Sequence, residues 1–187
     1  MPEDRLVIDE YLNQLSRVIA ALPREPLLEI LRLLRIAQAE KRQIFIFGNG
    51  GSAATASHMV CDFLKNTIRL DRKRMKVIGL TDNMPTFSAY ANDEGYDQVF
   101  CQPIESLGER GDLAIAISGS GNSPNVLHGV QTAHRLGLTT IGLTGFAGGK
   151  LVDLVDVCLV VPSNSMEQIE DLHMVIDHVL TISLRAD

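Results

Sequence analysis

The chain has 187 residues, 45% hydrophobic and 21% charged, with a net charge of −6. This predicts one domain over residues 1–187 with a sizeable core, argues against nucleic acid as the main partner, and leaves no apolar run near the ~20 residues of a membrane-spanning helix. Cys61, Cys101 and Cys158 are odd in number and far apart. They read as free thiols, and the acidic start "MPEDRLVIDEYL" has no signal-peptide pattern, so a cytoplasmic protein is expected.

Residues 4–40 show helical spacing of apolar positions, divided by Pro23 and Pro26 into two helices. Two helices ahead of the first strand have only part of a sheet to cover, so their apolar faces are candidates for packing on another subunit. Five short apolar runs follow: "IFIF" (44–47), "VIGL" (77–80), "LAIAI" (113–117), "TTIGL" (139–143) and "VCLVV" (157–161). Runs apolar throughout are the mark of strands covered on both faces. Helical patterns lie between them at 52–65, 84–91, 98–108 and 123–136, with a long one at 166–184. The alternation predicts an α/β fold: a doubly wound, five-stranded parallel sheet with two N-terminal helices. Ser165 and Gln168 match a capping box at the start of the last helix.

Two loops have the chemistry of anion sites. "GNGGSA" (48–53) combines glycines, the Ser52 hydroxyl and a helix start. "SGSGNSPNV" (118–126) carries Ser118, Ser120, Ser123 and Asn122 and has no lysine, which suits a phosphate monoester held by neutral donors. Two other readings compete. "GNGGSA" also fits the dinucleotide pattern G-x-G-x-x-A, but the acidic partner expected about 20 residues on is missing there, Asp82 lying about 30 on. The second is that the loops are plain glycine turns of an α/β fold, against which stand two serine-rich loops at the same edge of the sheet.

His58 and Asp62 are four apart on the helix after the first loop and share a face. The last helix offers Glu167, Glu170, His173, Asp177 and His178. Such a set suits zinc or another divalent ion, or general acid–base chemistry without metal. Glu170 and His178, however, are separated by roughly 12 Å of rise and 80° of rotation. Either two subunits share the site or one of them is not a ligand.

Taken together, "FGNGGSAATASH", "AISGSGNSPNV", "LTGFAGGKL" and "EDLHMVIDHVL" resemble the SIS (sugar isomerase) domain family, and within it the phosphoheptose isomerase branch, over nearly the whole chain. The resemblance implies an SIS-type sandwich and an aldose–ketose isomerase of a phosphorylated sugar, interconverting sedoheptulose 7-phosphate and a glycero-manno-heptose 7-phosphate. It also implies a homotetramer with active sites between subunits, and zinc in some members. With the loop reading, it puts substrate binding on Asn49, Gly50, Gly51, Ser52, Asp93, Ser118, Gly119, Ser120, Asn122, Ser123 and Glu170. It puts catalysis on Asp62 and His178, and metal on His58, Asp62, Glu170 and His178. The chain departs from the family pattern at Asp62 (glutamate in the family), Glu170 (glutamine), Gly119 (threonine) and Asn66 (arginine). The alternative is a non-catalytic relative that binds a DNA-replication initiator. Retention of both Asp62 and His178 favours the enzyme.

Overall fold

The computed structural model describes residues 2–186. Helices α1 (Pro2–Ala21) and α2 (Arg24–Glu40) come first. Then follow β1 (Gln43–Gly48), α3 (Gly51–Cys61), β2 (Lys76–Gly79), α4 (Met84–Asp93), α5 (Cys101–Leu107), β3 (Leu113–Ile117), α6 (Pro124–Leu136), β4 (Thr139–Thr144), β5 (Val157–Val160) and α7 (Met166–Ala186). The strands form one sheet in the order β2-β1-β3-β4-β5, parallel at every pairing. The expected doubly wound sheet is therefore present.

Side chains alternate across β1. Ile44 and Ile46 enter a layer with α2, α3 and α7, through Ile30, Leu34, Met59, Leu172 and Ile176. Phe45 and Phe47 enter the opposite layer, with Ile104 of α5 and Val126 and Val130 of α6. Phe47 and Phe100 stack there with ring centroids 5.1 Å apart.

The topology locates the site. From β1 the chain moves outward through α3 to β2; from β3 it moves the other way through α6 to β4. The two crossovers lie on opposite faces, so the winding reverses between β1 and β3. A crevice opens at the carboxyl ends of strands at such a point. Both anion-type loops emerge there, one after each strand.

Three local features differ from the expected pattern. The helix expected over 52–65 ends at Cys61 and widens into a π-helical turn over Asp62–Asn66. The helix expected over 98–108 starts only at Cys101, after a 3₁₀ turn over Tyr96–Gln98, which leaves Pro103 in its first turn where no N–H is needed. The capping box at Ser165 is one-sided. Ser165 Oγ accepts from Gln168 N at 3.5 Å, while the Gln168 side chain instead joins Ser163 Oγ and Gln14 Oε1.

The basic run at 69–74 has a structural use. Lys73 Nζ donates to Ala39 O (2.7 Å) near the end of α2, and Arg69 Nη1 to Arg185 O (3.0 Å) at the end of α7. Cations are favoured at those carbonyl ends by the helix dipole. A cavity of about 490 Å³ between Arg35, Gln38 and Lys73 follows from this arrangement.

Candidate functional site

At the switch point a cavity of about 250 Å³ is lined by Asn49, Gly50, Gly51 and Ser52 of the first loop, by Ser118, Gly119, Ser120 and Ser123 of the second, and by Met166 and Glu170 of α7. Gly50 has φ +55° and ψ −122°, a positive-φ conformation that glycine readily adopts, where the strand turns into the helix. At Gly51 a Cβ would lie 2.5 Å from the Glu170 carboxylate, so glycine is what lets α7 approach the start of α3. Ser118 and Ser123 face each other across 3.3 Å between hydroxyl oxygens. Apart from Ile117, Met166 and the Glu170 carboxylate, the lining is Asn49, hydroxyls and helix-start amides, with no lysine or arginine.

Two expected binding residues have other duties here. Asn122 lies outside the lining: its Nδ2 donates to Ser120 O (2.9 Å), and its Oδ1 accepts from Lys150 N (3.2 Å). It ties the serine loop to the turn after β4. Asn49 exchanges reciprocal amide hydrogen bonds of 2.8 Å with Asn125, and its Oδ1 also accepts from Tyr96 OH (2.9 Å). Asn125 is buried. The pair therefore links the two loops directly. Asn49→Ala should destabilise the protein by about 1–3 kcal/mol, because it strands the Asn125 amide. Urea unfolding of the variant beside wild type checks this. Asp93 sits exposed at the end of α4, bonded to Asn92, and lines neither this cavity nor its neighbour. That neighbour, about 330 Å³, shares Asn49 and Gly50 and runs past Thr81, Phe87 and Tyr96.

A second constellation lies farther along α3 and α7. His58, Asp62, Asp177 and His178 each offer one donor atom within 4.8 Å of the others. His58 Nε2 is 3.3 Å from His178 Nε2 and 3.8 Å from Asp62 Oδ1. The π turn serves this site: it swings Asn66 onto Asp62, whose Oδ1 accepts from Asn66 Nδ2 at 2.7 Å. Both aspartates are buried and both histidines exposed. Burial, with the nearby Asp62 charge, pushes the Asp177 carboxyl up to about 7. Its Oδ1 accepts a long bond from Thr181 (3.4 Å), and its Oδ2 has no partner.

Within one chain the spacing on α7 separates the two residues. His58 and His178 meet within one chain, whereas Glu170 is not part of the four-residue cluster and lies instead against Gly51 at the serine-lined cavity. Asp177 joins the two histidines and Asp62 in the cluster. A signal for it exists in the spacing of His173 and Asp177, but His173 turns elsewhere, with its Nε2 3.4 Å from Thr144 O.

Comparison with known proteins bears on the fold and the family. The SIS domain model matches residues 9–145. The chain belongs to the SIS domain family. It is 40% identical to a phosphoheptose isomerase of Paramagnetospirillum magneticum over 179 residues, covering 96% of this chain and 92% of that protein. A phosphoheptose isomerase of Helicobacter pylori is 37% identical over 180 residues, covering 95% and 93%. Among solved structures, a phosphoheptose isomerase from Francisella tularensis superposes with a TM-score of 0.91 at 27% identity over the full length of both chains. The Vibrio vulnificus NanR protein complexed with ManNAc-6P shares the fold, with a TM-score of 0.70 at 19% identity over 96% of this chain and 61% of that one.

Within this SIS fold the glycine at 119 has a structural counterpart. A Cβ there would run into Met166 Sδ and approach Ile169. Met166 thus fills the space that a threonine side chain would need.

Proposed function

We propose that the chain is an aldose–ketose isomerase of a phosphorylated sugar, converting sedoheptulose 7-phosphate to glycero-manno-heptose 7-phosphate. One observation carries the reading. Helices α3 and α7 both start at the hydroxyl-lined cavity, at Ser52 and Glu170, and meet again at His58 and His178. Six and eight residues separate these pairs, so the two sites lie roughly 9–12 Å apart along the helices. That offset lets one extended sugar chain hold its phosphate in the cavity and its reacting end at the histidines. The phosphoheptose isomerases it matches support the seven-carbon substrate.

The reaction needs a base, an acid and stabilisation of an enediolate. A base removes a proton from C1, the electron pair forms the C1–C2 double bond, and the C2 oxygen takes up a proton. The O1 proton then leaves as a proton returns to C2, so atoms and charge balance. Asp62, held by Asn66, is the base, and His178 moves the oxygen-bound proton. His58 orients the pair. The residues that would hold zinc or another divalent ion are those of the His/Asp cluster, and the partnerless Asp177 oxygen fits a cation. When bound, such an ion supplies Lewis-acid stabilisation of the enediolate charge.

Asp62→Ala should lower kcat by about 10²–10⁴ with KM changed much less. Product formation from sedoheptulose 7-phosphate, measured with and without added zinc, checks this. Full activity in the variant removes Asp62 from the mechanism.

The assembly belongs to the same reading. The exposed faces of α1 and α7 show Leu6, Val7, Leu12, Val179 and Ile182 to the outside. Such surface supports burial against further copies, in a homotetramer. One SIS domain spans residues 1–187. The cellular site proposed is the cytoplasm, supported by the three free cysteines. No helix among the described residues is long and apolar enough to cross a membrane.

A further inference from the structure

We propose that the cavity of about 490 Å³ at the end of α2 is a second anion site, for a small ligand that carries more than one phosphate group and no aromatic base. It lies apart from every residue assigned above to isomerisation.

The cavity is lined by Arg35, Gln38 and Ala39 of α2 and by Asp71, Arg72 and Lys73 of the segment before β2. These residues stand just ahead of β1 and β2, at the amino edge of the sheet. The serine-lined cavity opens at the carboxyl edge. The length of β1, roughly 17 Å, lies between the two.

Three observations converge. The first is Gln38. Leu27, Ile30, Leu34 and Ala37 form the buried stripe of α2, and Gln38 ends it, only 5% exposed. An apolar side chain would suit that place. The Gln38 amide instead lines the cavity and has no hydrogen-bond partner among the described residues. A buried amide without a partner carries a desolvation cost, which a ligand oxygen would offset. The second is charge. Arg35, Arg72 and Lys73 bring three cations to one cavity on a chain of net charge −6. The acid among them, Asp71, is taken up by Arg69 through two hydrogen bonds of 2.9 Å. The third is rigidity. Each cation is anchored at a helix end: Lys73 Nζ donates to Ala39 O (2.7 Å), Arg35 Nη2 to Ser183 O (3.5 Å) and Arg72 Nη1 to Leu184 O (3.4 Å). Side chains held in advance leave less ordering to be done on binding. The Lys73 ammonium has three N–H groups, and one of them serves Ala39.

The ligand class follows from the lining. Cations and one amide donor suit phosphate oxygens. A cavity of this size is in the range of small-molecule sites and is larger than one phosphate. No aromatic side chain lines it to stack a base. A compact polyphosphate or a small bisphosphorylated molecule meets all three conditions. Bound there, it ties the end of α2 to the segment before β2.

The test uses inorganic pyrophosphate as probe, at low salt, on wild type, Gln38→Leu, Lys73→Met and Ser118→Ala. Calorimetric titration gives the affinity, and thermal melts give the gain in Tm. Wild type should gain about 3–6 °C at tenfold saturation, and its affinity should fall between about 50 and 300 mM salt. Gln38→Leu should bind about tenfold more weakly or worse, yet melt no lower than wild type without the probe, because leucine completes the apolar stripe. Lys73→Met, at an exposed position, should also lose tenfold or more, and it decides the matter if the Gln38 variant does not fold. Any effect of pyrophosphate at the serine loop or on a bound metal is common to wild type and these two variants, so the difference between them isolates this cavity. Ser118→Ala should keep most of the gain. A wild type that shows neither heat nor a gain in Tm overturns the proposal. So does a response that survives in both Gln38→Leu and Lys73→Met, or one that vanishes in Ser118→Ala alone, which would place the probe at the serine loop. None of these readouts involves turnover, so the isomerase reading stands or falls on its own assay.

Discussion

His178→Ala should reduce kcat by about 10²–10⁴ while leaving the fold intact. The ring is exposed, makes an edge-on contact with His58 at a centroid distance of 5.3 Å, and fills no core space. Its removal therefore costs little stability. What it removes is the group that moves the proton between O1 and O2, together with one nitrogen of the His58–His178 pair. KM should change far less than kcat, because the phosphate end of the substrate is held at the serine loop by other residues. Two further measurements separate the possible roles. Added imidazole should restore part of the activity if proton transfer is what was lost. Zinc affinity should fall if the ring is also a ligand. A variant whose kcat stays within a few fold of wild type would exclude His178 from the chemistry, and with it the assignment of the reacting end.

Much of this site is legible in the amino-acid sequence. The strands stand out because each is apolar on both faces, and "LAIAI" alone predicts β3 at its observed bounds, Leu113–Ile117. Both loops stand out because glycine and serine at a strand–helix junction have few other uses. The side-chain pairing is less plain. The reading of Glu170 as a ligand follows a resemblance in which glutamine stands at that position. Helix geometry keeps Glu170 and His178 of one chain apart, and Glu170 lies at the serine-lined cavity; a site shared between subunits is the arrangement in which both would meet. Asp177 is hidden because spacing pairs it with His173, one turn earlier on the same helix. Spacing cannot say which way two buried polar side chains turn; the layers packed on them do, the sheet on one side for His173 and α3 on the other for Asp177. The π turn is invisible for a similar reason. Nothing in "DFLKN" forbids an α-helix; the widened turn packs against α7 and β2, and the bond from Asn66 to Asp62 closes it from within.

His173 gives the protein a steep acid limit. The ring is fully buried, and burial pushes its pKa down to about 4, opposed only in part by Thr144 O. Its Nε2–H donates to that carbonyl at 3.4 Å, and Nδ1 has no partner. Protonation would place a second N–H, and a charge, where nothing accepts them. In the unfolded chain the ring titrates near 6.5. Between pH 6.5 and 4 the unfolded state therefore binds more protons, and stability is lost as pH falls through that window, to a total of about 3 kcal/mol. Asp177 acts in the opposite sense, since its raised pKa stabilises the metal-free fold as pH falls below 7. The raw curve mixes the two, so the difference between wild type and His173→Leu isolates the histidine. Leucine leaves Thr144 O satisfied, because that carbonyl also accepts from Val161 N at 2.8 Å. At pH 7 the variant should lie within about 1.5 kcal/mol of wild type, the worth of one hydrogen bond. Toward pH 4.5 the wild type should lose about 1–1.4 kcal/mol per pH unit that the variant does not. Urea unfolding at pH 7, 6, 5 and 4.5 measures both slopes. Parallel curves would mean that His173 is already charged in the folded protein, or that water reaches Nδ1, and either would remove burial as the source of the acid limit.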